Sequence, residues 1–150
     1  MIVRETVEDN LDSRSGPNLH RHDSTGSREK RRYEMSNPVM HFELIGKDGI
    51  ELRKFYADVF GWKLSQPMAE FGNYSLLDNE GKGIGGGIGD GDPRVTVYIE
   101  VDDPQAYLDK AVAAGAKVLM PVTKIMEGTT IAMFADPAGN ISGLLKAEPR

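Results

Sequence analysis

The 150-residue chain contains no cysteine, so no disulfide framework, thiolate nucleophile or cysteine-bound zinc can organise it. Histidine is almost as scarce: His20, His22 and His41 are too few for a histidine-built metal cluster. No apolar run approaches the roughly 20 residues that a bilayer-spanning helix needs, so no membrane partner is expected. The opening MIVRETVEDN lacks the apolar stretch of a signal peptide, which makes the cytoplasm the expected compartment. Basic charge is in deficit too. A formal net charge of −5 offers no general neutralisation of phosphates, so no nucleic-acid partner is expected. What remains, 39% apolar and 27% charged residues, suits a globular chain with one hydrophobic core.

The composition changes near residue 37. Residues 1–37 carry seven basic, seven acidic and only eight apolar side chains, with no periodicity among the latter. Such a segment cannot bury enough surface to offset its ordering entropy, and a disordered tail is expected over 1–37. A single domain is expected over 38–150. It holds 11 basic and 16 acidic side chains, and therefore all of the net negative charge.

That body repeats one short programme, expected as two βαβββ modules at 38–91 and 92–147. Each opens with an alternating strand, VMHFELI and then VTVYIEV. A helix follows each. Asp48 is the expected N-cap of the first, with Leu52, Phe55, Tyr56 and Val59 as its apolar stripe and Gly61 as its stop. Asp103 is the expected N-cap of the second, with Pro104 at its first position, Leu108, Ala111 and Val112 as its stripe and Gly115 as its stop. Strand-like stretches then recur around 62–65, 73–77 and 83–88, and around 117–120, 129–135 and 140–145. Ile84-Gly85-Gly86 aligns with Ile141-Ser142-Gly143 at an offset of 57 residues. The fold class is α+β.

Period two divides the opening strands into faces. Met40, Phe42 and Leu44 form one face, and Val95, Val97, Ile99 and Val101 its counterpart; both are expected to pack on the helices. The opposite faces carry His41, Glu43 and Ile45, and Thr96, Tyr98 and Glu100. They line a cavity if the sheet curls, or form a solvent-washed surface if it does not.

VMHFELIGKDGIELRKFYADVFGWKL, VTVYIEVDDPQAYLDKAVAAGAKVL and IAMFADPAGNISGLL together resemble the glyoxalase/bleomycin-resistance/dioxygenase (vicinal oxygen chelate) superfamily over nearly all of 38–147. The elements FYADVFGW, VDD and DPAGN, in that order, carry the resemblance. It implies modules whose mixed sheet curls into a cup with helices outside, a small ligand in the cup, and a second subunit, hence a homodimer. Within the superfamily the chain is most similar to glyoxalase-related proteins.

The resemblance also implies a metal site, with one ligand from the first and last strand of each module. On this chain that pattern falls on His41, Gly86, Thr96 and Gly143. Glycine has no donor and a neutral threonine hydroxyl is a poor one, whereas a catalytic metal wants about three protein ligands. No metal and no cofactor are therefore expected, although Glu43 and Glu100 stand close enough in sequence to substitute. The expected function is small-molecule binding of the bleomycin-resistance kind. The alternative is a glyoxalase-like lyase or related enzyme, with His41 as acid, base or sole retained metal ligand and Tyr98 as a hydrogen-bond donor. His41 and Tyr98 are thus the catalytic candidates. The ligand-binding candidates are His41, Glu43, Gly86, Thr96, Tyr98, Glu100 and Gly143.

Other motifs are read structurally. Gly81-Lys82-Gly83-Ile84-Gly85-Gly86 fits G-x-G-x-x-G, but the glycines and proline that follow forbid the helix a dinucleotide site needs. A strand approached closely on its backbone fits better. Asp136-Pro137-Ala138-Gly139 suits a turn, and Trp62 a core position. For His41, a core histidine bonded to Glu43 or Tyr98 is the competing reading.

Overall fold

The computed structural model describes residues 37–148; the expected tail therefore lies, but for Asn37, outside the described residues. The first module comprises β1 (Val39–Gly46), α1 (Gly49–Phe60), β2 (Lys63–Leu64), a 3-10 turn (Ala69–Phe71), β3 (Ser75–Asp78) and β4 (Gly85–Asp90). The second comprises β5 (Arg94–Val101), α2 (Pro104–Ala113), β6 (Lys117–Met126), β7 (Thr129–Ala135) and β8 (Ile141–Lys146). All strands join one curled mixed sheet in the order β2-β3-β4-β1-β5-β8-β7-β6. The first and last strands of each module run parallel, and β1 pairs antiparallel with β5 to join the modules. Among the described residues no helix is long and apolar enough to cross a membrane.

The helix boundaries follow their local chemistry. Asp48 Oδ1 accepts from the Glu51 N–H at 3.0 Å, and Gly61, at φ 67°, closes α1 through its N–H to the Ala57 carbonyl. Asp103 caps α2 in the same way, accepting from the Ala106 N–H at 3.1 Å. The N-terminus of α1 is fastened to the end of β4, where Asp90 Oδ1 accepts from the Gly49 N–H at 2.6 Å. Asp136 orders the β7–β8 turn by accepting from the Ala138 and Asn140 N–H groups. The Asn140 side-chain amide, donating to Oδ2 at 3.0 Å, and these backbone bonds hold its carboxyl below the usual carboxylate range, and its role is the structural one expected. Strand β6 runs six residues past its expected end, through Pro121. It lies at the sheet edge, where a residue without an N–H is tolerated.

Each module packs its outer face differently. In the second, Val101, Leu108, Ala132 and Leu144 form a buried aliphatic cluster with Ile99, Tyr107, Val122 and Phe134 against it. In the first, Trp62 stacks on Tyr56, ring centroids 5.0 Å apart, and meets Phe42 and Phe60 at 6.0 and 5.9 Å. Trp62 therefore takes the packing role expected of it.

The apolar faces of the opening strands are covered only in part. Helix α1 sits mainly on β4, and α2 on β6, β7 and β8, which leaves the β1–β5 seam bare between them. Val95 is 67% exposed, Met40 41% and Val97 37%, against the expectation that all three pack under helices. The stripe of α1 is likewise incomplete, since Phe55 and Val59 remain more than half exposed.

Candidate functional site

The inner face of the seam is built by register. His41 lies opposite Tyr98 and beside Gly85, and Tyr98 lies beside Gly143, so His41, Gly85, Tyr98 and Gly143 form one row across four strands. In the next row Glu43 lies opposite Thr96 and beside Gly87. This face is the buried one. Glu43 is 7% exposed, Tyr98 5% and Thr96 0%.

Glu43 is the hub. Its Oε1 accepts from the Tyr98 hydroxyl at 3.0 Å and lies 3.5 Å from Arg94 Nη2. Its Oε2 lies 3.3 Å from the Tyr74 hydroxyl, which also meets His41 Nε2 at 2.8 Å. The imidazole packs edge-on to Tyr98 and stacks with Tyr74, at centroid distances of 5.7 and 6.4 Å. Burial pushes both phenols well above their ordinary range, with the Glu43 carboxylate adding to the effect, so both stay protonated donors. Burial also lowers the His41 pKa and favours the neutral ring. Two polar atoms of β5 on this face, Thr96 Oγ1 and Arg94 Nε, are buried without a partner among the described residues.

The glycines explain how the tyrosines fit. A Cβ on Gly87 would collide with the Tyr74 ring, and one on Gly143 with the Tyr98 ring. Gly89 also lies under Tyr74, its would-be Cβ 2.8 Å from the ring. The strand approached closely is thus real, and the approaching groups are rings of the chain itself. Gly85 is different: a Cβ there would meet nothing nearer than the Met40 carbonyl at 3.6 Å and His41 Nδ1 at 4.0 Å.

Of the residues singled out in the sequence, His41, Glu43, Thr96, Tyr98 and Gly143 come together. Gly86 does not. It faces the helices, where a Cβ would collide with the Phe42 ring. The cause is one residue: first and last strands are 44 positions apart in module one, His41 to Gly85, and 45 in module two, Tyr98 to Gly143. Alignment at a constant offset slips by one there, and a one-residue slip exchanges the faces of a strand. Glu100 shares the inner parity of β5, but its backbone N–H is spent on the Pro38 carbonyl and its side chain is outside the Glu43 network. Competing with these assignments, the core-histidine reading has one part right: His41 is bonded inside the protein, though to Tyr74.

Two members of the network were missed. Arg94 shares the parity of Thr96 and Tyr98, so the same alternation pointed to it. Tyr74 is placed by the non-local pairing of β3 with β4, for which no local signal exists.

The donor set does not fit the metal of the family pattern. The inner positions of β4 are glycines and the β8 residue beside Tyr98 is Gly143; Gly87, Gly89 and Gly143 are roofed by rings, and Glu43 is engaged by three donors. Among the described residues no three His, Cys, Asp or Glu side chains converge to hold an ion.

A curled sheet assembled from two βαβββ halves, with a polar row buried at their junction, defines the class of fold. The chain belongs to the Glyoxalase/Bleomycin resistance protein/Dioxygenase superfamily, whose family model matches residues 39–142. It is 32% identical over 114 residues to "Putative glyoxylase CFP32" of Mycobacterium tuberculosis (strain CDC 1551 / Oshkosh), covering 70% of this chain and 44% of that protein. It is 29% identical over 119 residues to "Anthracycline biosynthesis protein DnrV" of Streptomyces peucetius, covering 65% and 42%. The chain thus spans less than half the length of these relatives. Methylmalonyl-CoA epimerase from Mycobacterium tuberculosis shares the fold, with a TM-score of 0.58 at 15% identity over 77% of this chain and 91% of that one.

Proposed function

We propose that the cup binds a small organic molecule and does so without a catalytic metal. The carrying observation is the buried polar row itself: His41, Glu43, Thr96 and Tyr98 share one inner face, where the family's remaining metal positions hold no donor. Burying such groups is costly unless they are paired, and Thr96 Oγ1 and Arg94 Nε are buried without a partner among the described residues. The carboxylate and the aromatic rings suit a compound with both polar and flat apolar parts. DnrV, named for anthracycline biosynthesis, lends support by resemblance. A homodimer joined through the bare seam of Met40, Val95 and Val97 completes the assembly, in the cytoplasm.

A thermal-shift screen of metabolites against chelator-treated protein tests the reading. Hits should stabilise the metal-free protein and lose their effect in Tyr98→Ala and His41→Ala. Dialysis against zinc, nickel or manganese should leave far less than stoichiometric metal. Stoichiometric binding abolished by His41→Ala would instead favour the lyase.

The second reading, an enzyme with His41 as acid or base, draws on the 2.8 Å His41–Tyr74 bond, which orients the imidazole. Tyr98 then acts through Glu43, because its hydroxyl proton is already directed there.

A further inference from the structure

Tyr74 has one hydroxyl hydrogen and two acceptors in reach, Glu43 Oε2 at 3.3 Å and His41 Nε2 at 2.8 Å. It can donate to only one of them. Oε2 belongs to a carboxylate 7% exposed, and Tyr74 is its sole hydrogen-bond partner among the described residues; Tyr98 and Arg94 both address Oε1. A buried carboxylate oxygen stripped of its donor is the costlier loss, since imidazole can exchange tautomers and turn Nε2 into a donor. The chain of bonds then runs one way: His41 Nε2–H to the Tyr74 oxygen, and Tyr74 O–H to Glu43.

We propose that Glu43 and Tyr74 hold His41 as its Nε2–H tautomer, so that the Nδ1 lone pair is the acceptor the cup offers to a ligand O–H or N–H. The place is defined by Gly85. Gly87, Gly89 and Gly143 lie under tyrosine rings, whereas a Cβ on Gly85 would make only ordinary van der Waals contacts, with the Met40 carbonyl at 3.6 Å and His41 Nδ1 at 4.0 Å, so this is the inner glycine no ring occupies. A ligand that reaches this point therefore carries a donor, a hydroxyl or an amine or amide N–H. A ligand with a carbonyl or ether oxygen there meets another lone pair. Tyr74 and Glu43 are positioning residues, and neither is recognisable as such from sequence spacing. The groups facing the imidazole are Tyr74 and Tyr98, with Glu43 and Arg94 behind them. This inference deepens the small-molecule reading and rests on it for the cup's role, while the tautomer itself is read without ligand.

Long-range proton–nitrogen correlation spectra of the full chain test it, with His20→Gln and His22→Gln introduced together so that His41 is the one histidine observed. The wild-type network should show the Nε2–H pattern with an unprotonated Nδ1. Glu43→Gln should reverse it. Arg94 keeps the amide oxygen at the Oε1 position, the amide N–H₂ then donates to Tyr74, and Tyr74 donates to Nε2, which moves the proton to Nδ1. If Glu43→Gln fails to fold, Tyr74→Phe serves, and should replace the single tautomer by a mixture. An Nδ1–H pattern in the wild-type network, or a pattern unmoved in the folded variants, would overturn the proposal. Phenol and anisole then probe the acceptor, one with a donor and one without. Phenol should shift the Nδ1 resonance and anisole should not; equal shifts, or none from phenol at saturating concentration, would count against it. A wrong tautomer leaves the binding function standing, and a cup that binds no metabolite leaves the tautomer measurable.

Discussion

The two modules share a topology and divide the labour. Module two is held by a cluster of aliphatic side chains, Val101, Leu108, Ala132 and Leu144, each at most 4% exposed. Module one relies on aromatic rings, of which Trp62 and Tyr56 are half-buried and Phe55 and Phe60 more than half exposed. Across the seam the polar groups are shared evenly: module one supplies His41, Glu43 and Tyr74, and module two Arg94, Thr96 and Tyr98. One backbone plan thus gives a module held by buried aliphatic side chains and a module held by partly exposed rings, with the polar network divided between them. Burial is what separates them, because stabilisation follows apolar area removed from water.

The largest effect should come from the aliphatic cluster. Leu108→Ala is expected to cost about 2–5 kcal/mol in denaturant unfolding, and Phe60→Ala in module one about 1 kcal/mol or less. Equal losses would erase the distinction. Next come the glycines of the inner row. Gly143→Ala forces its methyl into the Tyr98 ring and should cost about 1–3 kcal/mol. Gly85→Ala, which meets no close atom, should be neutral or stabilise by about 0.4–1 kcal/mol. A costly Gly85→Ala would mean that the position beside His41 has no room for a methyl group.

Tyr98→Phe removes one of two groups on Glu43 Oε1 and should cost about 1–2 kcal/mol. A smaller effect is expected from pH. Burial lowers the His41 pKa below its ordinary 6.5, so the unfolded chain takes up this proton first as the solution is acidified. The stability it contributes is present above about pH 6.5 and is lost as pH falls through the lower folded value. His41→Gln should therefore flatten the pH dependence of unfolding across that window; an unchanged slope would remove His41 as its source. The smallest effect belongs to the bare seam: Val95→Thr should change protomer stability by about 0.5 kcal/mol or less, while Val95→Lys weakens self-association in sedimentation.

How far the site was legible depended on the range of the interactions. Period two placed His41, Glu43, Thr96 and Tyr98 on one face because alternation is a property of each strand alone, and the same rule would have reached Arg94. It could not place Gly86 correctly, since one extra residue in module two shifts the last strands relative to each other. Nor could it find Tyr74, whose hydroxyl meets Glu43 and His41 at sequence separations of 31 and 33 residues. Val95 and Val97 look like core residues to a pattern reader. Only the positions of the helices show that nothing within the described residues covers them.

Local chemistry written in the chain was enough to determine both helices, their Asp48 and Asp103 caps, the Gly61 stop, the Asp136 turn and the repeat that makes the fold. Each of these depends on residues a few positions apart, and the physics that sets them acts over that distance. Tertiary structure decided which polar face is buried, which glycines lie under rings, and that Glu43 is held by two side chains of β5 and by Tyr74 just before β3. Those outcomes depend on strand register and on where the helices come to rest, and both are set by packing between segments far apart in the chain.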